Sequence, residues 1–472
     1  MTDVDTAARA AAAAFETTRS ATDAERAEWL HAIADRLDAA IDELVALADE
    51  ETALGETRLR GEVGRTTGQL RMFAAVVTEG SYLEATIDHA APDATPPKPD
   101  LRRMLRPTGP VAVFTASNFP FAFSVAGGDT ASALAVGCPV IVKAHPGHPR
   151  LSRRTAELVA SALAAAGAPA GAFALVDGFE AGLELVDHPV ITAVAFTGSL
   201  AGGRALHDRA AARPAPIPFF GELGSINPVV VTADADAARG AELATGFAGS
   251  FQLGAGQFCT KPGVVFVPDG SALEAALPSL VGADLPRMLT PSIADGFQTG
   301  SERVESVPGV ELLAGGPGSP AVAVTDLATL RAHADELLAE VFGPFALLVR
   351  YDSRADLAAA LDHLEGSLTA TLHAAPDEPV DDLLPRLEAI AGRVLFAGWP
   401  TGVAVTWSQH HGGPWPATTS QHTSVGATAV RRFLRPIVYQ DAPDAVLPAA
   451  LRDANPLQIP RRVDGVLTST TE

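Results

Sequence analysis

Cysteine is scarce in this sequence, with only Cys138 and Cys259 in 472 residues. Disulfide frameworks stabilise small secreted proteins rather than chains of this length, so we expect two free thiols. An export signal is also missing, because the N-terminus is acidic where a signal peptide would begin with basic residues. These features favour a cytoplasmic protein that folds without disulfide bonds.

Basic residues are scarce as well. The chain has 34 lysines and arginines against 56 aspartates and glutamates, which gives a formal net charge of −22 at pH 7. A field of that sign repels a phosphate backbone, so we expect no nucleic-acid partner. An anionic small ligand would need a locally positive or dipolar site.

Long uninterrupted apolar runs are absent too. The stretches from Pro107 to Gly128 and from Val394 to Val430 lack charged residues over lengths that a membrane span requires. Glycines, prolines and polar side chains interrupt both of them. We therefore interpret them as strand, loop and helix start, and we expect no membrane partner.

The periodicity of the chain changes along its length. Apolar residues spaced three and four apart predict helices from Thr6 to about Glu79. Residues 81–106 then become proline-rich and polar, which favours an exposed excursion or hairpin. Beyond them, strand and helix patterns alternate, as is typical of parallel doubly wound sheets.

This alternation predicts two α/β units in succession. The first has strands at Pro110–Phe114, Val140–Lys143, Phe173–Val176 and Ala193–Phe196, with helices at Gly127–Val136, Arg153–Ala166 and Ala181–Val186. The second begins with a strand at Pro228–Thr232, a helix at Ala238–Ser250 and a strand at Val264–Val267. Sheets of this kind bind ligands at the carboxyl ends of their strands.

The two cysteines have different surroundings. Cys259 follows a glycine-rich loop between a helix and a strand, where a thiol can be presented to a ligand. A buried cysteine that only fills space is the alternative, and both interpretations stay open for Cys259. Cys138 precedes an apolar strand, and we interpret it as a packing residue.

Two further polar side chains are candidates for catalysis. Glu222 lies among apolar and glycine residues, where burial would raise its pKa toward the range of a general base; a solvated loop or cap residue is the alternative. Asn118 follows the Pro110–Phe114 strand and can donate its amide to a developing oxyanion. An Asx turn before Pro120 is the competing interpretation.

A phosphate cradle is predicted where Thr197, Gly198 and Ser199 end a strand and Gly203 and Arg204 open the next helix. Lys143, at the end of its own strand, is a candidate to contact a ribose or phosphate. The histidine pairs His145/His148 and His410/His411 have no cysteine or carboxylate at zinc-ligand spacing. The sequence therefore predicts no metal site.

Six motifs follow one another along the chain. They are Asn118-Phe119-Pro120, Val142-Lys143, Phe196-Thr197-Gly198-Ser199 with Gly203, Glu222-Leu223-Gly224, Gly256-Gln257-Phe258-Cys259-Thr260 and Glu340-Val341-Phe342-Gly343-Pro344. In this order they resemble the aldehyde dehydrogenase superfamily, over roughly residues 10–440. The joint match is far more specific than any single motif.

The resemblance implies a fold and an oligomeric state. We expect two doubly wound α/β domains, a Rossmann-like cofactor domain and a catalytic domain, with a small β oligomerisation element. The expected boundaries are 1–84 and 107–221 for the dinucleotide-binding domain, 222–428 for the catalytic domain, and 85–106 with 429–472 for the oligomerisation element and C-terminal tail. A homodimer or homotetramer is expected.

The resemblance also implies catalytic roles. Cys259 would attack the aldehyde to give a thiohemiacetal, whose oxyanion is held by the Asn118 amide and the Cys259 backbone N–H. Glu222 would activate the water that hydrolyses the thioester left after hydride transfer. A non-redox cysteine hydrolase or acyl transferase, using the same thiol, is the less favoured alternative.

A nicotinamide cofactor follows from the same likeness. The residues implied in its binding are Lys143, His145, Thr197, Gly198, Ser199, Gly203, Arg204, Glu340 and Phe342. NAD-preferring members often carry a glutamate where this chain has Pro146, and such a charge would repel a 2′-phosphate. We therefore expect NADP, with Arg204 pairing with the phosphate, while NAD stays possible.

Two later segments indicate the substrate. Residues 412–419 and the tail at 455–462 look like the branch that oxidises 2-oxoglutarate semialdehyde (2,5-dioxopentanoate), which is close to NADP-dependent fatty aldehyde dehydrogenases. A small-molecule aldehyde is thus the expected partner. Long-chain fatty aldehydes and other semialdehydes remain alternative substrates.

Overall fold

The computed structural model of the protein describes residues 3–468. In chain order its helices are α1 (Val4–Thr18), α2 (Asp23–Ala39), α3 (Ile41–Thr52), α4 (Glu56–Glu79), α5 (Gly128–Ala135), α6 (Pro149–Ala165), α7 (Phe179–Asp187), α8 (Leu200–Ala211), α9 (Ala233–Phe251), α10 (Ala272–Ala276), α11 (Pro291–Glu305), α12 (Leu327–Ala332), α13 (Ala334–Leu337), α14 (Arg354–Leu361) and α15 (Leu384–Ile390). The helical opening predicted from the periodicity is confirmed as α1 to α4.

The strands form three sheets. In chain order they are β1 (Thr86–Asp88), β2 (Leu101–Pro107), β3 (Val111–Phe114), β4 (Val140–Lys143), β5 (Phe173–Val176), β6 (Ala193–Thr197), β7 (Phe219–Glu222), β8 (Val229–Val231), β9 (Val264–Pro268), β10 (Glu311–Ala314), β11 (Ala321–Asp326), β12 (Phe345–Tyr351), β13 (Ser367–His373), β14 (Ala391–Phe396), β15 (Leu434–Gln440), β16 (Arg461–Val463) and β17 (Val466–Thr468). Two of the sheets correspond to the two predicted α/β units, and the third contains the segment predicted as an excursion or hairpin.

The first sheet has the order β5-β4-β3-β6-β7, and all of its strand pairs are parallel. Its strands read as nearly continuous apolar runs because helices cover both faces. The chain runs from the central β3 through β4 to β5 and then returns to the other side as β6 and β7, so the strand order reverses between β3 and β6. A crevice opens at such a reversal, outside the carboxyl ends of the strands.

The second sheet has the order β10-β11-β12-β9-β8-β13-β14 and is parallel except for its antiparallel edge strand β10. Its central strands β8, β9 and β12 are almost entirely buried, with helices α9 and α11 contributing to the cores on its two faces. The two predicted α/β units and the α/β fold class are thus confirmed.

The third sheet is small and mixed, with the order β15-β2-β1-β16-β17. The proline-rich 81–106 segment contributes the antiparallel pair β1 and β2, as a hairpin prediction requires. Strand β15, more than 300 residues later in the chain, pairs with β2 along its full length. This pairing connects the 81–106 segment with the C-terminal part of the chain.

Several predicted helix starts were wrong by two to five residues. Helix α8 begins at Leu200 rather than near Gly203, because the Ser199 side chain accepts a hydrogen bond from the Gly202 amide and caps the helix. Helix α9 begins at Ala233 rather than Ala238, capped in the same way by Thr232. Helix α6 begins at Pro149 instead of Arg153, and α7 at Phe179 instead of Ala181. Periodicity alone does not locate these caps.

The two stretches without charged residues form strand, loop and helix start, as predicted. Residues 107–128 form β3, a loop and the start of α5, and residues 394–430 form the end of β14, a long loop and a short 3₁₀ segment. Among the described residues, no helix combines the length and apolar character that crossing a bilayer requires.

Candidate functional site

The candidate residues meet between the first and second sheets. Asn118 follows β3 and Glu222 ends β7, so both lie at the carboxyl edge of the first sheet. Cys259 precedes β9 and Glu340 precedes β12, so both lie at the amino edge of the second sheet. The site is therefore formed where the carboxyl edge of one parallel sheet faces the amino edge of another.

A strained turn presents the Cys259 thiol. Gly254, Ala255 and Gly256 have φ values of 57°, 57° and 63°, in the left-handed region that favours glycine. A Cβ at Gly256 would lie 2.3 Å from the carbonyl of Gly343, so this turn packs directly on the backbone that follows Glu340. Glycine is required here because two loops of the site approach each other at their backbones.

The side chain of Asn227 holds the loop that carries Cys259. No pattern in the sequence indicates this role. Nδ2 of Asn227 donates to the carbonyls of Cys259 at 2.8 Å and Lys261 at 2.9 Å, while its Oδ1 accepts from Ser225 and Thr369. The side chain is 1% exposed. A positive φ of 51° at this non-glycine residue was the geometric signal, and it is not visible in a sequence.

Glu222 is buried rather than solvated. Its Oε1 lies 2.9 Å from Nε2 of His411, and its Oε2 accepts from the Ser424 hydroxyl at 2.8 Å. Both Glu222 and His411 are nearly inaccessible to solvent. The alternative of a loop acid in contact with water is therefore excluded.

The predicted rise in the pKa of Glu222 is wrong in direction. Burial does raise the pKa of this carboxyl, but His411, Ser424 and the Cys259 thiol together outweigh it, and the net pKa lies below its ordinary value. The sequence shows the apolar neighbours of Glu222 and not its distant partners. Glu222 is therefore a carboxylate at neutral pH.

The thiol of Cys259 lies beside the same imidazole, with Sγ 3.7 Å from Nε2 of His411. Burial raises the pKa of this thiol well above its usual value, and the charges of Glu222 and Glu340 raise it further, whereas Arg65 lowers it. The resting thiol is thus protonated. A nucleophilic thiolate requires a base within reach, and Glu222 and His411 are the groups in that position.

One donor set at this site has metal-ligand character. One ligand atom each of Glu222, Cys259 and His411 lie within 4.8 Å of one another. Sulfur, imidazole nitrogen and carboxylate oxygen are the donors that Zn²⁺ prefers. Spacing along the chain does not predict this set, because the three residues come from widely separated segments.

Asn118 faces the cysteine loop. Its Nδ2 donates to the carbonyl of Gln257 at 3.1 Å, which fixes the amide next to the nucleophile rather than in an Asx turn. Its backbone carbonyl accepts from Nη2 of Arg58 at 2.7 Å, and Oε1 of Glu62 accepts from the amides of Phe121 and Ala122. Helix α4 therefore positions the loop that carries Asn118.

A cavity of about 250 Å³ opens onto the cysteine. It is lined by Arg65, Phe119, Phe123, Phe258, Cys259, Thr260, Thr401, Gly402 and Val403. The lining is largely apolar, with the reactive sulfur and one guanidinium as its distinctive groups. This combination is typical of a small-molecule site.

The start of α8 fits a dinucleotide phosphate. The side chain and the carbonyl of Ser199 accept from the amides of Gly202 and Gly203, so within the described chain the Leu200 and Ala201 amides are left for a ligand. A Cβ at Gly203 would lie 2.0 Å from Leu223, so glycine allows α8 to pack against the end of β7. Thr197 and Gly198 lead into this cap, as predicted for a cradle.

The other predicted cofactor residues on the first sheet have specific environments. Lys143 ends β4, and burial lowers the pKa of its ammonium. Burial lowers the pKa of His145 to about 3, and its Nδ1 accepts from the Gly147 amide, so a neutral ring with an Nε2–H donor is expected. His145 can therefore donate to a ligand without carrying charge.

Arg204 is already partnered. Its Nε lies 2.9 Å from both carboxylate oxygens of Asp208, and its guanidinium stacks on the ring of Trp415 at 5.5 Å. The ion pair is solvent-exposed, so it contributes little to stability and a phosphate can compete with it. A phosphate partner for Arg204 stays a prediction, and it would replace Asp208.

Glu340 and Phe342 lie in the segment that precedes β12 of the second sheet. A Cβ at Gly224 would lie 2.8 Å from the Glu340 carboxylate, so the glycine of the Glu-Leu-Gly motif leaves room for this side chain. Burial raises the pKa of Glu340, and the nearby ammonium of Lys261 opposes that rise. Nζ of Lys261 donates to the carbonyl of Phe345. Phe342, two residues beyond Glu340, is partly buried.

Cys138 lies elsewhere, as predicted. It is fully buried in the core of the first sheet, and burial raises the pKa of its thiol. Its Sγ contacts the carbonyl of Phe433. The two thiols are unpaired, and only Cys259 reaches the cavity.

Comparison with known proteins gives a consistent result. The family model described as "Aldehyde dehydrogenase family" matches residues 1–283. The chain is 49% identical to "Alpha-ketoglutaric semialdehyde dehydrogenase 2" of Azospirillum brasilense, over 98% of this chain and 91% of that protein. It is 42% identical to "Alpha-ketoglutaric semialdehyde dehydrogenase" of Acinetobacter baylyi, over 99% of this chain and 91% of that protein.

The fold is also similar to solved structures. One of these is a succinic semialdehyde dehydrogenase from Streptococcus pyogenes in complex with NADP+, with a TM-score of 0.77 and 18% sequence identity. The superposition covers 92% of this chain and 94% of that chain. At this identity the likeness supports the shared fold.

Proposed function

This chain belongs to the aldehyde dehydrogenase family, and from this we propose that it oxidises 2-oxoglutarate semialdehyde to 2-oxoglutarate with NADP. The observation that carries the proposal is that the Cys259 thiol lines a small cavity, with Glu222 beside it and Asn118 bonded to the loop that carries it. The substrate is supported by the names of the two relatives, each of which matches nearly the whole chain.

In the first step, the Cys259 sulfur attacks the aldehyde carbon and forms a thiohemiacetal. The thiol is protonated at rest, so its proton passes to the Glu222 and His411 pair beside it. The negative charge that develops on the substrate oxygen is stabilised by the Asn118 amide and the Cys259 backbone N–H. Gln257 and Asn227 keep these donors and the sulfur in position.

The nicotinamide cofactor, when bound, supplies the hydride acceptor that turns the thiohemiacetal into a thioester. Lys143, His145, Thr197, Gly198, Ser199, Gly203 and Arg204 would hold it on the first sheet, and Glu340 and Phe342 on the second. The free amides at the start of α8 and the space beside Gly224 fit such a ligand.

Hydrolysis of the thioester then requires a base. After the thiol proton has left the Glu222 and His411 pair for solvent, the Glu222 carboxylate accepts a proton from water and the hydroxide adds to the acyl carbon. The sulfur then leaves and takes up that proton, which releases the acid and the Cys259 thiol. Its pKa lies below the ordinary value, so the base form is present throughout the neutral range. Ser424 and His411 orient the two carboxylate oxygens.

The preference for NADP rests on the residues near Lys143. Pro146 occupies the place where a carboxylate would repel a 2′-phosphate. Arg204 is a cation whose pairing with Asp208 is weak enough to exchange for a phosphate. NAD remains a second acceptor in this proposal.

The domain division is part of the same proposal. We assign dinucleotide binding to residues 1–84 and 107–221, catalysis to 222–428, and oligomerisation to 85–106 with 429–472. The three sheets support a division into three parts, although Glu222 is the last residue of β7 and so belongs to the first sheet. Strand β15 and the 81–106 segment would carry the interface of a homodimer or homotetramer. The free thiols fit a cytoplasmic location.

The size of the cavity favours a short substrate over a long-chain fatty aldehyde. Its volume of about 250 Å³ is below the roughly 300–1,000 Å³ of sites for drug-sized ligands. A cysteine hydrolase or acyl transferase has no use for the partly buried Glu340 carboxylate or for the α8 cradle. Both features support oxidation over the alternative reactions.

The test compares kcat/KM for 2-oxoglutarate semialdehyde, succinate semialdehyde and a long-chain aldehyde, each with NADP and NAD. We expect the highest value for 2-oxoglutarate semialdehyde with NADP, measured as the absorbance of reduced nicotinamide. Cys259→Ala should abolish the reaction, while the matched variant Cys138→Ala should retain it. Acid release without reduced nicotinamide would refute the dehydrogenase proposal.

A further inference from the structure

The cavity beside Cys259 contains one charged side chain in its wall, Arg65. This arginine lies in the middle of α4, a helix that the sequence presents only as part of an apolar-periodic opening segment. The remaining wall consists of aromatic rings, threonines and small residues. A cation in such a wall determines which ends of a substrate are accepted.

The Arg65 guanidinium is held in place by rings and not by an acid. Its central carbon lies 5.2 Å from the ring centre of Phe123 and 5.9 Å from that of Phe119. Its Nη1 is buried without a hydrogen-bond partner among residues 3–468. Face stacking fixes a guanidinium plane while leaving its edge N–H groups free for an anion.

The nearest acid on the same helix is committed elsewhere. Glu62, one turn before Arg65, accepts from the amides of Phe121 and Ala122 through Oε1. Burial raises the pKa of Glu62, which further weakens it as a counter-ion. Burial likewise lowers the pKa of Arg65, although the charges of Glu62, Cys259 and Glu222 oppose that fall without forming an ion pair with it among residues 3–468.

The neighbouring arginines differ from Arg65. Arg58 stacks on Phe119 and Phe258, but its Nη2 donates to the Asn118 carbonyl and it does not line the cavity. Arg393, on β14, also has buried unpaired nitrogens and interacts electrostatically with Cys259, but it lies outside the cavity wall. Arg65 alone among these three faces the space next to the thiol.

We propose that Arg65 binds the carboxylate at the far end of the aldehyde substrate and so selects short semialdehydes with an acidic tail. This inference rests on the proposed function. A guanidinium matches a carboxylate with two parallel N–H···O bonds, which fix orientation as well as adding binding energy. The aldehyde end is thereby directed toward Sγ of Cys259, and the aromatic rings enclose the carbons between the two ends.

The discriminating measurement is a ratio. It compares kcat/KM for 2-oxoglutarate semialdehyde with kcat/KM for pentanal, a neutral aldehyde of the same chain length. In Arg65→Met, which keeps the length of the stem, we expect this ratio to fall about 100-fold, mainly through KM of the semialdehyde. Arg65→Lys should recover part of the ratio, because it restores the charge without the fork.

Arg393→Met is the matched control, because it removes a second buried cation near Cys259 without changing the cavity wall. It should keep the wild-type ratio. A wild-type ratio in Arg65→Met, or a fall of the ratio in Arg393→Met alone, would overturn the assignment to Arg65. If the wild-type enzyme forms no reduced nicotinamide with the semialdehyde, the proposed function fails instead.

A second measurement does not depend on any variant folding. With the wild-type enzyme, pentanoate should inhibit competitively against the semialdehyde at concentrations about tenfold or more below pentan-1-ol, because only the acid has a carboxylate that can pair with Arg65. Equal inhibition by the acid and the alcohol would overturn the proposal. Raising the salt concentration should weaken the effect of pentanoate more than that of pentan-1-ol.

Discussion

Nε2 of His411 lies 2.9 Å from Oε1 of Glu222 in a part of the protein where both side chains are almost fully buried. The partnership joins residues 189 positions apart in the chain. It keeps the carboxylate charged in surroundings that would otherwise protonate it. Much of the expected behaviour of the site follows from this contact.

Removing the imidazole of His411 should change the acid limb of the pH profile of kcat. In His411→Phe, burial is no longer opposed by His411, so the pKa of Glu222 rises and the base form is lost as the pH falls. We expect kcat to drop at the acidic end and to recover as the pH increases. The matched control is His410→Phe, which removes the adjacent imidazole and should keep the wild-type limb. An unchanged limb in His411→Phe would contradict this role of His411.

Removing the base should separate the two halves of the reaction. Glu222→Gln keeps the shape of the side chain but cannot take a proton from water. We expect a burst of reduced nicotinamide of about one per active site, followed by turnover about 10²–10⁴-fold slower than wild type. Stopped-flow absorbance measures both phases. Wild-type turnover in Glu222→Gln would show that another group activates the water.

The reactivity of the thiol should have an unusual pH dependence. Burial, Glu222 and Glu340 all raise the pKa of Cys259, so alkylation by iodoacetamide should accelerate with pH around a midpoint above the ordinary thiol value of about 8.5. Glu222→Gln removes one negative charge and should lower that midpoint, and Glu340→Gln should lower it less. Cys259→Ala gives the background rate. A midpoint below the ordinary value would contradict the assigned charges.

Zinc should inhibit the enzyme reversibly. Tetrahedral Zn²⁺ places a sulfur and a nitrogen ligand about 3.5 Å apart, close to the 3.7 Å between Sγ of Cys259 and Nε2 of His411. We expect added Zn²⁺ to stop turnover and a chelator to restore it. Competition with a chromophoric zinc indicator measures binding directly, and His411→Phe should weaken it. Equal zinc binding by the wild type and His411→Phe would exclude this donor set.

Local sequence patterns predicted the strands and the fold class correctly. Apolar strands such as Val140–Lys143 and Ala193–Phe196 are surrounded by clear glycine and proline signals, and the structure places them in one parallel sheet. The start of α8 was missed because Ser199 ends the strand pattern and also caps the helix. Boundaries of this kind depend on single hydrogen bonds, which periodicity does not show.

The contacts within the candidate site were harder to predict from the sequence. Cys259 and Asn118 could be identified from their loops and from the family motifs. His411, Ser424 and Asn227 could not, because their importance lies in contacts with residues far away in the chain. The direction of the Glu222 pKa shift depended on the same contacts.

The two facing sheet edges have a consequence for how the enzyme loses activity. Cys259 is carried by the second sheet, whereas Asn118 and Glu222 are carried by the first, so a small rotation of one sheet against the other separates nucleophile from base without unfolding either. A misplacement of about 1 Å can cost on the order of 10²-fold in rate. Mild heating or denaturant should therefore abolish activity while the helices and strands persist. The reactivity of the Cys259 thiol then measures how closely the two sheets are packed against each other.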